Sequence, residues 1–373
     1  MGNLTKGLLK GDRVGIVFGT FAPFHSGHQD VVNRASNEND SALVIVSGST
    51  GDRGEETGLH LNRRFRYMRE ALAKDELIGV DYIREDDIPP MPHGWVLWTD
   101  LLLKTIYRNL ENKDAELIFY VGELEYALEL ERLIPNASVN IIDRGLNTIS
   151  GTTIRNNPYK YWNEINVTFR KAFSKNINIV GSASGGKSTL AHKLSRRFGS
   201  NYSSEFSRTM QEERNIRDEE FDLLRFVDLV RGQWLSTSSI INDKANNGVI
   251  FADTDAMVTQ VYAEMTFGID SPEMGILQPI INETVKNSVW DKILIIPPVT
   301  KFVNDGFRSE ENSNQDFRDT FHKRLLEIIE QHGLSDKVVI LDAPATENDP
   351  QGFNARYNQA KEVVENLIKY EVI

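Results

Sequence analysis

The segment Gly181-Ser-Ala-Ser-Gly-Gly186-Lys187-Ser188, near the middle of a 373-residue chain, constrains the fold more than any other stretch. It matches G-x-x-x-x-G-K-[ST], follows the apolar run 176–180 and precedes the helical pattern 189–198, the two contexts that a phosphate-binding loop requires. Glycines let the backbone turn its N–H groups inward around a phosphate, and the helix N-terminus adds positive potential. The expected ATP contacts are Gly181, Gly185, Gly186, Lys187, Ser188 and Thr189, with Lys187 at the β/γ oxygens and Ser188 as a ligand of Mg²⁺.

A loop of this kind opens a domain, and a second set of strands lies before it. Apolar, β-branched runs at 14–18, 42–47, 117–121 and 139–142, then at 177–180, 249–251, 293–296 and 338–341, alternate with helical segments. Such alternation predicts an α/β protein with two doubly wound parallel-sheet domains. An aromatic and basic stretch at 156–175, carrying Pro158, separates them, so the domains are placed at 1–173 and 174–373. The 40% apolar and 26% charged composition is that of a globular protein and excludes general disorder. Absence of cysteine excludes disulfides and thiolate metal sites and fits a reducing cytoplasm. The first ten residues lack a signal-peptide apolar core and no later segment is as apolar as a membrane span, which predicts a cytoplasmic protein. A net charge of −12 argues against nucleic-acid partners, leaving small-molecule nucleotides and nucleosides, with a homo-oligomer open.

Within the second half, the strand pattern 249–253 ends in Asp253-Thr-Asp255, where a carboxylate suits the Mg²⁺ of a phosphate-binding loop. Asp253 or Asp255 is the candidate; Asp255 reads equally as the cap of a helix starting near Ala256. Ser204-Glu205-Phe206-Ser207-Arg208 follows one crossover after the loop and offers Glu205 and Arg208 to an acceptor substrate, or else to each other as an i,i+3 ion pair. Residues 304–315 read as a polar, mobile loop in which Arg308 either closes over ATP or is a solvated charge.

In the first half, Gly19-Thr20-Phe21-Ala22-Pro23-Phe24-His25-Ser26-Gly27-His28 follows the first strand directly and leads into a helix. Two histidines three apart at a helix start lie on one turn and can donate to phosphate oxygens. No third His or carboxylate nearby completes a zinc set. Ile149-Ser150-Gly151-Thr152-Thr153-Ile154-Arg155 supplies hydroxyls at a second helix start and a cation one turn on, a second anion site.

Gly19-Thr20-Phe21 with His25-Ser-Gly-His28, and Ser150-Gly-Thr152-x-x-Arg155, resemble the two signatures of the nucleotidylyltransferase superfamily. Joined to the phosphate-binding loop across 157–162, the arrangement resembles over almost the whole chain the NadR-type family of bifunctional nicotinamide-mononucleotide adenylyltransferases and ribosylnicotinamide kinases. Pro92-His93-Gly94-Trp95 and Asp305-Gly306-x-Arg308 resemble further motifs of that family. The resemblance implies a Rossmann-like nucleotidylyltransferase followed by a P-loop kinase, both using ATP and Mg²⁺, with NAD as product. It implies that His25 and His28 contact the ATP phosphates, that His28 stabilises the pentavalent α-phosphate, and that Ser150, Thr152 and Arg155 hold the departing pyrophosphate. In the kinase half it implies that Glu205, Asp253 or Asp255 orients the ribose hydroxyl or takes its proton. Arg53, Arg63 and Arg64 are further phosphate candidates or solvated helix charges, and Trp95 or Trp98 a stacking partner for nicotinamide, with Trp98 also fitting a core position. Some members of the family carry an N-terminal helix-turn-helix domain, and only about a dozen residues precede the first strand here, so no operator-binding role is expected.

Overall fold

A computed structural model of the chain describes residues 7–135, 137–142, 149–303, 306–307 and 309–369. The chain folds as two units, one ending at Phe173 and the other beginning at Ser174. No helix among the described residues is long and apolar enough to cross a membrane.

In the first unit the β-branched runs form β1 (Arg13–Gly19), β2 (Ser41–Gly48), β4 (Glu116–Val121) and β5 (Ser138–Ile141). A further strand, β3 (Ile78–Arg84), completes the parallel order β3-β2-β1-β4-β5. The apolar pattern does not predict β3, because Gly79 and Asp81 interrupt it. Asp81 is nevertheless fully buried: its carboxylate accepts from Arg108 Nε at 2.7 Å, Arg108 Nη2 at 2.8 Å and Asn109 Nδ2 at 2.6 Å. Distant donors thus satisfy a charge that local patterning marks as exposed.

α1 (Ser26–Asn37), α2 (Leu61–Ala71), α3 (Trp95–Asn109) and α4 (Leu124–Leu133) cover the sheet, and the short helices α5 (Gly151–Asn156) and α6 (Val167–Arg170) follow. Val17, Val44 and Ile118 belong to one apolar layer, and Ile16, Leu43 and Phe119 to the layer on the other face. Each such side chain, fully buried, contributes roughly 1.5–3 kcal/mol relative to exposure. Strand order reverses beside β1, and the crevice at the C-terminal end of the strand next to such a reversal is where doubly wound sheets place ligands. The histidine turn leaves β1 at that end.

The second unit repeats the logic with β6 (Lys175–Val180), β8 (Val249–Asp253), β9 (Lys292–Ile295) and β10 (Val338–Ile340). A two-residue strand, β7 (Tyr202–Ser203), too short to carry a periodic signal, completes the parallel order β10-β9-β6-β8-β7. The glycine-rich loop joins the central strand β6 to α7 (Lys187–Phe198); α8 (Phe206–Arg214), α9 (Leu223–Ile241), α10 (Ala256–Phe267), α11 (Pro272–Asn287), α12 (Gln315–Gln331) and α13 (Phe353–Lys369) surround the sheet. Within the segment expected as a mobile loop at 304–315, Glu310–Ser313 form a 3-10 turn capped by Ser309, and Asn314 caps α12. Arg308, with Asn304 and Asp305, lies outside the described residues.

Candidate active sites

In the N-terminal unit, β1 ends at Gly19 and the chain turns through Phe21, a non-glycine residue held at φ 48°, before His25 starts α1 in extended conformation. The two imidazoles lie close together, ring centroids 3.8 Å apart and planes tilted by 31°, and His28 packs edge-on to Phe21 and parallel to Phe24. Phe24 and His25 are tied to the far end of the domain: Asn166 N–H donates to the Phe24 carbonyl at 3.0 Å, and His25 pairs with Ile165 as an antiparallel bridge. The histidines are therefore set by backbone on both sides, a preorganised arrangement.

The second motif meets the first through Arg155. Ser150 caps α5 (Gly151–Asn156) by accepting from Thr153 N–H at 3.1 Å. From this short helix Arg155 donates to the Ala22 carbonyl at 2.5 Å and to Thr152 Oγ1 at 3.0 Å. A methyl group at Gly151 would stand only 3.1 Å from that Ala22 carbonyl oxygen, so glycine permits the approach. Arg53 donates to Thr20 Oγ1 at 2.9 Å. Burial lowers the pKa of Arg155, and the neighbouring positive charge of Arg53 lowers it further. Two guanidiniums near one another and near a pair of imidazoles attract an anion with several negative oxygens.

Arg63 and Arg64 make their bonds elsewhere. Arg63 donates to the Gly58 carbonyl at 2.9 Å. Arg64 is fully buried and bidentate to Asp52, at 2.7 and 2.5 Å, with further bonds to the carbonyls of Leu59 and Ser47. It is neither a solvated charge nor a member of the anion cluster; it braces the loop after β2 that presents Arg53. Trp95 and Trp98 begin α3 inside an aromatic cluster with Phe18 and Tyr126, Trp95 packing edge-on to Tyr126 at 5.0 Å. Both indoles are buried. The Trp98 indole donates to Glu85 Oε1 at 2.9 Å, and burial raises the pKa of that carboxyl. Glu85 is not among the residues that sequence reasoning singles out, because the strand it follows, β3, carries no continuous apolar pattern.

In the C-terminal unit the loop Gly181–Ser188 has the backbone that phosphate binding demands. Gly186 has φ 91° and forms the N-cap of α7, and a Cβ at Gly181 would collide with the Ile296 carbonyl oxygen at 2.7 Å. Lys187 is 5% exposed, its ammonium folded over the loop to donate to the Ser182 carbonyl at 3.2 Å, while Ser188 and Thr189 are exposed on the first turn. Ser184 is in the left-handed region at φ 59°, and its hydroxyl and carbonyl bond to Val303 and Thr300. Asp253, 1% exposed, ends β8 in register with Ile179 of β6, which places it beside the root of the loop.

Asp255 resolves as the helix cap. It accepts from Met257 N–H at 3.0 Å and from the Trp290 indole at 3.0 Å, and burial pushes its pKa up to about 6. Glu205 starts α8 without capping it through its side chain. Arg208, one turn on, places its guanidinium 5.4 Å from the Phe307 ring centre. A second tie between α8 and the segment around Phe307 is Asp218, which sequence reasoning missed. Its N–H donates to the Phe307 carbonyl at 3.1 Å, and its carboxylate accepts from Ser309 N–H at 3.1 Å and Gln211 Nε2 at 2.7 Å. Burial raises its pKa. Among the described residues no group of three or more His, Asp or Glu is arranged to hold a metal by protein ligands alone.

One site of paired imidazoles and guanidiniums at a doubly wound switch point, and one glycine loop with lysine and a strand-end aspartate, define a nucleotidylyltransferase joined to a P-loop kinase. A cytidylyltransferase-like family model matches residues 16–157, and an AAA domain model matches 176–347. The trifunctional NAD biosynthesis/regulator proteins NadR of Salmonella typhimurium and Escherichia coli are 26% and 27% identical over 334 residues, 86% of this chain and 77% of theirs. A crystal structure of NadR protein in complex with NR is 40% identical, with a TM-score of 0.85 over 97% of each chain. Another, of NadR protein with NAD and AMP-PNP, is 38% identical with a TM-score of 0.83, over 97% of this chain and 98% of that one. The chain belongs to the NadR family.

Proposed function

We propose that the chain makes NAD in two ATP-dependent steps. In the C-terminal half a ribose hydroxyl of ribosylnicotinamide attacks the γ-phosphorus of ATP, giving nicotinamide mononucleotide and ADP. In the N-terminal half the phosphate of the mononucleotide attacks the α-phosphorus of a second ATP, giving NAD and pyrophosphate. Neither step needs a protein nucleophile, because position and charge neutralisation supply the catalysis.

The observation that carries the N-terminal assignment is the bond from Arg155 to the Ala22 carbonyl, which closes the two motifs into one cluster. There His28 and His25 donate to the α-phosphate as negative charge grows on its oxygens, and Thr152, Ser150, Arg155 and Arg53 retain the departing pyrophosphate. Gly19, Thr20 and Phe21 form the wall beneath the nucleotide, and Trp95, braced by Trp98 and Glu85, walls the nicotinamide end. In the C-terminal half Lys187 leaves the Ser182 carbonyl for the β/γ oxygens. Asp253 and Glu205 are the acids left to receive the ribose hydroxyl proton or orient the hydroxyl, since both oxygens of Asp255 are engaged internally. The exposed Ser188 hydroxyl and the strand-end Asp253 fit a Mg²⁺ ion arriving with ATP, which supplies charge neutralisation on the phosphate oxygens. A cysteine-free chain fed by nucleosides and ATP suits the cytoplasm.

The test is incubation of the purified chain with ATP, Mg²⁺ and either ribosylnicotinamide or nicotinamide mononucleotide, following ADP, pyrophosphate and NAD. Formation of ADP with the first and of pyrophosphate and NAD with the second is expected. Turnover of neither nicotinamide compound, with ATP still bound, sinks the substrate assignment and favours a nucleotide sensor.

A further inference from the structure

β7 pairs with β8 at only two positions, Tyr202 with Phe251 and Ser203 with Ala252, so its backbone ladder alone fixes little of the chain that follows. That chain is Ser204-Glu205, which leaves the carboxyl edge of the sheet next to the point where β8 ends in Asp253. α9 supplies what the short ladder lacks. The fully buried Ser203 hydroxyl accepts from Gln233 Nε2 at 3.1 Å and Thr237 Oγ1 at 3.1 Å and donates to Ser236 Oγ at 3.0 Å, which uses its one donor and two acceptor sites.

Gln233, 3% exposed in the middle of α9, reaches further along the chain. Its Oε1 accepts from Phe206 N–H at 2.7 Å, and its Nε2 donates also to the Ser204 carbonyl at 3.3 Å. These two groups belong to the peptide units on either side of Glu205. Gripping both pins the dihedrals of Glu205, at φ −61° and ψ 113°, and with them the direction in which its side chain leaves the backbone. The grip needs an acceptor and two donors at the end of one side chain, which a carboxamide has and a carboxylate lacks. Gly232 serves the same end: a Cβ there would run into the Phe206 ring, so a residue otherwise unfavourable inside a helix lets the start of α8 seat against α9. Glu205 itself begins α8 without capping it through its side chain, so its carboxylate is not spent on holding the helix.

We infer that Gln233 is a positioning residue for phosphoryl transfer, gripping the peptide units on both sides of Glu205 and so aiming that carboxylate at the acceptor hydroxyl. The inference rests on the kinase reading above and adds which group sets the geometry of the acid. The buried polar side of α9 thereby shapes the acceptor site from behind Glu205.

The experiment compares the full native chain with Gln233→Met, Gln233→Glu, Glu205→Gln and the two double variants that combine Glu205→Gln with each change at Gln233. It reads kcat and KM for phosphoryl transfer to ribosylnicotinamide, adenylyl transfer, and amide hydrogen exchange at Phe206. Methionine keeps the length and the burial and loses all three bonds; glutamate keeps the acceptor for Phe206 N–H and loses both donors. Both changes at Gln233 are expected to lower phosphoryl kcat by roughly 10- to 100-fold with KM for ATP within about twofold. Gln233→Met also speeds exchange at Phe206, and adenylyl transfer is unchanged. In the double variants the change at Gln233 costs no more than about twofold beyond Glu205→Gln, because an acid badly aimed and an acid removed are one loss. Losses that multiply, or native phosphoryl kcat in either Gln233 variant, overturn the proposal and leave Gln233 a structural residue. Should Gln233→Met fail to fold, Gln233→Glu and its double variant decide on the same terms. A native chain that forms no ADP with ribosylnicotinamide strikes the kinase reading, whereas unchanged exchange at Phe206 in Gln233→Met strikes the grip itself.

Discussion

In the C-terminal half the phosphate cradle is backbone: a loop of glycines at unusual φ, the start of a twelve-residue helix, and one lysine that waits against the loop's own Ser182 carbonyl. In the N-terminal half it is side chains, two imidazoles and two guanidiniums brought together from separate segments. A backbone cradle is written in consecutive residues and depends little on the rest of the domain. A side-chain cradle exists only when β1, the loop after β2 and α5 are packed, so it depends on bonds such as Arg155 to Ala22 and Arg64 to Asp52. The contrast suits the two chemistries. Transfer of a terminal phosphoryl needs the β/γ oxygens held tightly, whereas attack at the α-phosphorus needs donors around a centre from which pyrophosphate must leave.

The sharpest break of this comparison is Lys187→Ala, which should lower phosphoryl transfer by about 10³-fold or more and leave adenylyl transfer within about twofold, measured by ADP and NAD formation from the separate substrates. Next is His28→Ala, expected to cost roughly 10²- to 10³-fold in adenylyl kcat and nothing in the kinase. Arg155→Ala removes both a phosphate contact and the bond to Ala22, and a loss of some tens-fold in adenylyl kcat/KM is expected; equal losses in both reactions would show that the two cradles are not independent. Asp218→Asn should raise the kinase KM for ribosylnicotinamide several-fold and speed amide exchange at Ser309 and nearby backbone, without touching adenylyl transfer, because the substitution leaves one carbonyl to serve two donors.

The last prediction concerns stability rather than rate. Asp255 is raised from 3.8 to about 6, so its neutral form is favoured in the folded state. That contribution is fully present below pH 3.8 and is lost as pH rises through about 6. Against Asp255→Asn, the native kinase half should therefore gain relative thermal stability as pH falls from about 7 to about 4, by up to roughly 3 kcal/mol, with phosphoryl transfer at neutral pH retained. A pH-independent difference in melting temperature, or loss of transfer in the variant, would instead make Asp255 an ionised participant in the site.

The same difference between the halves governs what was legible in the sequence. The kinase loop can be read from eight consecutive residues because its function is local backbone geometry. The histidine turn and Ser150 to Arg155 were legible as separate motifs, but their contact through the Ala22 carbonyl depends on packing between segments 133 residues apart in the chain. Residues that act through distant partners stayed hidden: Asp81 inside β3, Glu85 beneath Trp98, and Asp218 clasping Ser309 and Phe307 all read locally as surface acids. Arg64 misled in the opposite sense, since a basic helix face implies solvent and its guanidinium is in fact a buried brace. The eight strands seen from apolar runs are strands, whereas β3 and β7 were missed because one contains a compensated charge and the other has two residues.

The most direct test of two complete and separately built sites is the product mixture formed from ribosylnicotinamide and ATP by the His28→Ala chain. Nicotinamide mononucleotide and ADP are expected to accumulate at the native rate with no NAD. Absence of the mononucleotide, or NAD formed at the native rate, would contradict the assignment of the two reactions to the two halves.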